Sequence, residues 1–177
     1  MREILDIEIR LVSVLYSWLD QLRSYRFENE WVIKAPLETV WDNIVNVEDW
    51  PVWWQGLEFS CSADKLPVGT EGKHYKTGWK SPLYYRLEIN AVIRESTSHA
   101  LIIADIHGDI EGICTCRIEE RQSATRGYFS LNVRTNITWM SLFSPFLKGY
   151  FIKNHNRIMA KGLLGFTMHL ARSEAAA

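Results

Sequence analysis

The sequence predicts an α+β domain: a strongly curved antiparallel sheet of about seven strands gripping one long C-terminal helix. Three observations predict it. From residue 57 to 138, runs of strand-forming residues with apolar–polar alternation are separated by turn residues, the mark of half-buried strands. From 144 to about 171 the period changes: Phe146, Leu147, Tyr150, Phe151, Ile158, Met159, Leu163, Phe166 and Leu170 keep helical spacing. Finally, 177 residues without a long linker make one domain, large enough for a substantial core and an internal pocket besides.

Taken in order, residues 1–26 form an N-terminal extension. Ile4, Ile7, Leu11, Val14, Leu15, Trp18 and Leu22 give it the spacing of an amphipathic helix. Arg2, Glu3, Asp6, Glu8 and Arg10 break any apolar run, so it is neither a signal peptide nor an integral membrane segment. Its apolar face packs on the domain or on a second copy, as a homodimer. A membrane surface is the alternative, but the polar face lacks the Lys and Arg typical of such anchors.

Residues 27–34 read as a strand leading into Ala35-Pro36. Proline suits a first helical turn and Glu38 suits the positive helix end, so 36–47 is a helix burying Val40, Trp41, Ile44 and Val45. Residues 48–56 form a short helix or turn, interrupted by Pro51 and stopped by Gly56. Six strands follow, at 57–63, 72–79, 83–95, 99–107, 110–120 and 125–138. Their turns are Pro67-Val68-Gly69-Thr70, Lys80-Ser81-Pro82, 96–98, Gly108-Asp109 and 121–124. In the last helix Ser144 caps and Pro145 takes the first helical position. Gly149, Gly162 and Gly165 weaken that helix intrinsically, and serve close approach to the sheet or a bend. Residues 172–177 form a tail outside the domain of 27–171.

Composition removes several function classes. The net charge is −1 with no basic stripe, which argues against nucleic acid as a partner. Three cysteines without CxxC spacing give no disulfide framework, and read as free thiols in a reducing cytoplasm. Cys114 and Cys116 share one strand face and lack the second half of a zinc site. There is no GxSxG, HExxH, P-loop or GxGxxG, so no metal, nucleotide or covalent cofactor is expected.

Five of the eight tryptophans, Trp31, Trp41, Trp50, Trp53 and Trp54, crowd into a short segment. Indole is stiff and largely apolar, so such a cluster lines a cavity as readily as it fills a core. Strand parity adds the walls. Phe129, Leu131, Val133 and Thr135 share one face of the last strand, and Ile110, Cys114, Cys116 and Ile118 share one face of its neighbour. On the strand at 72–79, His74 and Lys76 alternate with Tyr75, Thr77 and Trp79, and the set with the aromatic residues is favoured for the interior. Together with the helix face carrying Phe151, His155, Ile158, Met159 and Leu163, these residues enclose either a packed core or a cavity. The expected ligand-binding set is Trp41, Trp53, Trp54, Tyr75, Trp79, Tyr85, Cys114, Cys116, Phe129, Leu131, Phe151, His155 and Met159.

Three motifs in order resemble the helix-grip superfamily called SRPBCC, which holds START-like lipid-transfer domains, birch-pollen-type allergens and bacterial polyketide cyclase/dehydrase-like proteins. Ala35-Pro36-Leu37-Glu38-Thr39-Val40-Trp41 with Trp50-Pro51-Val52-Trp53-Trp54-Gln55-Gly56 is similar to the family's first-helix and WPxWW segments. Gly108-Asp109-Ile110-Glu111-Gly112 resembles a GDLxG hairpin of the polyketide-cyclase-like branch. Residues 154–165, beginning Asn154-His155, resemble that branch's last-helix motif. The resemblance covers about 27–171 and implies a deep apolar cavity under the long helix, for a ligand such as a lipid, quinone or polyketide-like compound. It implies no reaction, because fold alone does not carry chemistry.

The residues leave catalysis open. His155, four residues from both Phe151 and Met159, either meets a ligand as acid, base or orienting group, or is a satisfied structural donor. Asn154 and Arg157 are read as solvent or hairpin contacts. Asp105 and His107 share a strand face and form either an acid/base pair or a pair on the convex surface, since Ile102, Ala104 and Ile106 are the competing inward set. Family cyclases place Arg and Tyr in the pocket. Tyr85 suits that role, but the parity of Arg117 and Arg134 points both away. The readings are thus a non-catalytic binding or transfer protein for an apolar small molecule, a cyclase/dehydrase-type enzyme, or an interaction protein with a filled interior.

Overall fold

The structure, a computed structural model, describes residues 23–80 and 85–176, the side chains of 138–147 and 176 excepted. The helix expected within 1–26, and any dimer contact through it, fall on 1–22 and so lie outside the described residues, as does the break at Ser81-Pro82.

The described part opens with β1 (Ser24–Ile33), which begins three residues earlier than the alternation suggests. The reason is Tyr25, which is buried and sits opposite Val133 in the sheet. Next comes α1 (Leu37–Val45), preceded by Pro36 in an extended conformation. Pro36 is therefore the residue before the helix and not its first turn; its carbonyl accepts the Val40 N–H. A 3₁₀ turn (Val47–Asp49) leads into the four-residue α2 (Trp50–Trp53). Pro51 sits at the start of α2, where a missing N–H costs nothing, so it begins this helix and does not interrupt one.

Six strands follow: β2 (Leu57–Ser62), β3 (His74–Lys80), β4 (Arg86–Thr97), β5 (Leu101–Gly108), β6 (Ile110–Arg121) and β7 (Ala124–Thr135). They form an antiparallel meander, and β1 closes onto β7, for the order β1-β7-β6-β5-β4-β3-β2. Tight turns hold the register. Gln122 and Ser123 both have positive φ, which suits a two-residue turn between the twisted β6 and β7. At Gly108-Asp109 the Asp109 carboxylate accepts the Glu88 N–H at 2.7 Å, and the Asp109 N–H donates to the Glu88 carbonyl at 3.1 Å. Gly108 has φ +117, and a side chain there would strike the Glu88 carbonyl.

The same hairpin positions the last helix, α3 (Thr138–Ala176). Asn136 donates its backbone N–H to the Asp109 carbonyl and its side-chain amide to the Gly108 carbonyl, at 2.9 Å each. This latch ends β7 and turns the chain at once, so α3 starts six residues before the expected cap at Ser144. It also continues through the stretch expected to be a tail.

Two buried clusters hold α3 against the sheet. One joins Trp31, Ile33, Val40, Trp41, Trp53 and Trp54 to Phe166 and Leu170. The other joins Tyr25, Ala104, Ile106, Ile110 and Val133 to Phe151. The helix glycines act differently from one another. Gly162 gives room to the Trp54 indole, which a Cβ would meet at 2.5 Å, and Gly165 abuts the Trp53 carbonyl. The close approach is thus to α2 and the residue after it, and not to the sheet. A Cβ at Gly149 would meet nothing within 4 Å among the described residues.

Candidate functional site

Strand alternation sends one set of side chains toward α3: Tyr75, Thr77 and Trp79 from β3; Leu87, Ile89, Ala91 and Ile93 from β4; Ile102, Ala104 and Ile106 from β5. Ile110, Cys114 and Cys116 come from β6, and Phe129, Leu131, Val133 and Thr135 from β7. Between them and Phe151, His155, Ile158 and Met159 of α3 lies a hollow of about 320 Å³. The two buried clusters grip α3 and the sheet together around it.

Eleven of the thirteen residues expected to bind ligand line this hollow: Trp54, Tyr75, Trp79, Tyr85, Cys114, Cys116, Phe129, Leu131, Phe151, His155 and Met159. Trp41 and Trp53 do not; each is 6% exposed and packed into the core. Trp53 stacks on Trp54 at 5.3 Å and meets Phe166 at 4.8 Å, so it plugs one end of the molecule. Trp54 takes the wall position beyond it, edge-on to Trp79 at 5.2 Å, with its N–H donated to the Ile158 carbonyl at 3.1 Å. Among the described residues Trp53 Nε1 has no partner although it is buried.

The polar groups of the wall are few. The Trp79 indole N–H donates to the Thr77 hydroxyl, which donates in turn to the Ile89 carbonyl. The Tyr75 hydroxyl reaches the Val45 carbonyl at 3.4 Å, and burial raises its pKa. On α3, His155 Nε2 lies 2.9 Å from Asn29 Oδ1, while the Asn29 amide donates to Asn156 at 3.3 Å. An amide oxygen only accepts, so the imidazole carries its proton on Nε2 and keeps Nδ1 as an acceptor. The ring also stacks on Phe27, with centroids 4.0 Å apart. Burial pushes its pKa down to about 4, which leaves it neutral at pH 7. Burial likewise pushes the Cys114 thiol up to about 11 and raises that of Cys116. Both cysteines are free, as is the exposed Cys61.

Of the four residues considered for catalysis, His155 and Tyr85 border the hollow and Asp105 and His107 do not. Asp105 pairs with Arg94 at 3.2 Å on the outer face, where His107 is exposed beside Asn90. Arg134 pairs with Glu111 and Arg117 lies over the Tyr128 ring, so neither enters the hollow. Among the described residues, no three His, Cys, Asp or Glu side chains converge as metal ligands.

Sequence reasoning missed Asn29 and Asn154 as wall residues; Asn154 faces the hollow and not a hairpin. Strand parity could have found Asn29, which shares the face of Trp31 and Ile33 on the strand expected at 27–34. Its pairing with His155, 126 residues away, carried no local signal.

No family model and no curated protein sequence matches this chain. Solved structures do. A protein from Thermus thermophilus matches at 14% identity with a TM-score of 0.69, over 84% of this chain and 99% of its own. A START superfamily protein from Mycobacterium smegmatis matches at 12% identity and TM-score 0.63, covering 82% of this chain and 98% of its own. A major latex-like protein from Panax ginseng matches at 6% identity and TM-score 0.62, over 83% and 97%. Identities this low speak for the backbone alone. The chain has the helix-grip fold that these proteins share.

Proposed function

We propose that this protein binds, and passes on, an apolar small molecule in the hollow beneath α3, in the manner of a lipid, quinone or polyketide-like ligand. One observation carries the reading: about 320 Å³ of space walled almost wholly by apolar side chains. Pockets from about 300 Å³ upward suit small ligands, and a few placed polar groups fix their orientation. Here His155, held by Asn29 and Phe27, is that group; its neutral ring accepts a hydrogen bond from a ligand hydroxyl or N–H. Affinity comes from burying apolar surface, at roughly 25 cal/mol per Å² before association costs.

Catalysis has less support. Neither Asp105 nor His107 reaches the hollow, and neither arginine enters it. Three free thiols fit a reducing compartment such as the cytoplasm, and no described helix is long and apolar enough to cross a membrane. Native mass spectrometry of protein purified without added ligand is the test. The expected spectrum has an apolar adduct that dissociates on activation, and that weakens in Ala104→Phe. A bare chain that also binds no fluorescent apolar probe would refute the reading.

A further inference from the structure

Helix α3 buries one face, and among the described residues nothing pairs with the charges of the opposite face. Phe151, Met159, Phe166 and Leu170 turn inward. Lys153, Arg157, Lys161, Leu164, Met168 and Arg172 are all exposed, and helical geometry puts them in one sector about 100° wide and about 28 Å long. From Lys148 to Arg172 the chain has five Lys or Arg and no Asp or Glu, in a protein of net charge −1.

Lys148 lies over the Tyr25 ring, and Lys153, Arg157, Lys161 and Arg172 point outward. Among the described residues none of the five forms an ion pair. The nearby acids of β1, Glu28 and Glu30, are already paired with Arg26 and Arg126. Interleaved with the cations are apolar groups that water does not favour: Leu164 is 63% exposed and Met168 48%. Val52 on α2 is 73% exposed. Val52 and Leu164 each lie one residue from the contact between Trp53 and Gly165, so both flank the place where α2 meets α3.

From this combination we infer that the outer face of α3, with Val52, docks on the anionic surface of a lipid bilayer. A long row of cations meets the negative potential of such a surface, and the leucine, methionine and valine enter the headgroup boundary. An acidic protein would also pair with the cations. Cations at both ends of a rod, with the apolar tips of Leu164 and Met168 between Lys161 and Arg172, fit a plane of headgroups better. Docking does not depend on the hollow: vesicle binding reads the helix face, and native mass spectrometry reads the cavity.

The test is co-sedimentation with vesicles of pure phosphatidylcholine and of equimolar phosphatidylcholine and phosphatidylglycerol. The protein is expected on the anionic vesicles only, with binding that weakens as salt rises. Each cation removed costs about fivefold, so the triple variant Lys153→Ser, Arg157→Ser, Lys161→Ser loses about 100-fold. Leu164→Ser weakens binding while leaving its salt dependence in place. All four positions are exposed, and unchanged melting curves establish that the variants fold. Equal sedimentation with both vesicle types, or a triple variant that binds like the parent, overturns the inference. Capture on immobilised polyglutamate without vesicle binding also overturns it, and assigns the face to an acidic protein.

Discussion

Ala104→Phe separates an empty interior from a filled one. Ala104 lies on β5, the middle strand of the sheet, opposite Ile93 and Cys114, with its methyl on the wall of the hollow. Were that space packed, a phenyl ring would overfill the core and cost about 1–3 kcal/mol. In a chain of this size each kcal/mol lowers Tm by about 2–4 °C. Because the space is open, the ring has somewhere to go, and Tm should stay level or rise. Ligand binding moves the opposite way. A ring that displaces about 100 Å² of ligand contact removes about 2.5 kcal/mol at 25 cal/mol per Å². That is about 70-fold in Kd. Titration with anilinonaphthalene sulfonate, alongside thermal melts, reads both quantities on one sample. A fall in Tm of several degrees with probe affinity unchanged would refute the argument, since it would mean a filled interior and a probe bound elsewhere.

Further outcomes follow from single contacts. Gly165→Ala drives a Cβ against the Trp53 carbonyl and should destabilise by about 1–3 kcal/mol, whereas Gly149→Ala meets nothing and should stabilise by up to about 1 kcal/mol. Urea denaturation of the pair checks whether α2 is the surface against which α3 packs. His155 has a folded pKa of about 4 against 6.5 for the free side chain, so the unfolded chain binds the extra proton between those values. Its contribution to stability is therefore complete above pH 6.5 and is lost as pH falls toward 4. Between pH 7 and pH 5 the loss should be about 2 kcal/mol, and His155→Gln should flatten that slope in denaturation curves at the two pH values. Thiol titration of native protein should find Cys61 reacting fast. Cys114 and Cys116, which are protonated at neutral pH, should react only on unfolding.

Much of the fold was legible because it rests on local properties. Alternation placed Phe129, Leu131 and Val133 on one face and Arg134 on the other, and Arg117 followed the same rule. Those parities hold because a strand has a strict two-residue period. The change to helical spacing announced α3, though not its start. That start depends on Asn136 meeting the Gly108-Asp109 hairpin, a contact between residues 27 and 28 positions apart.

Tertiary structure decided the rest. Trp53 and Trp54 are adjacent and chemically identical, yet Trp53 plugs the core and Trp54 walls the hollow, because Gly162 and Gly165 let α3 settle against them at different depths. The strand of Asp105 has two plausible faces in sequence, and sheet curvature alone chose Ile102, Ala104 and Ile106 for the inside. His155 looked like any polar residue beside an apolar stripe until Asn29 and Phe27 reached it from the opposite end of the chain. Periodicity tells each segment which side to bury. Whether the buried sides meet or stand apart depends on bend and register summed over the whole sheet, and no local pattern records that sum.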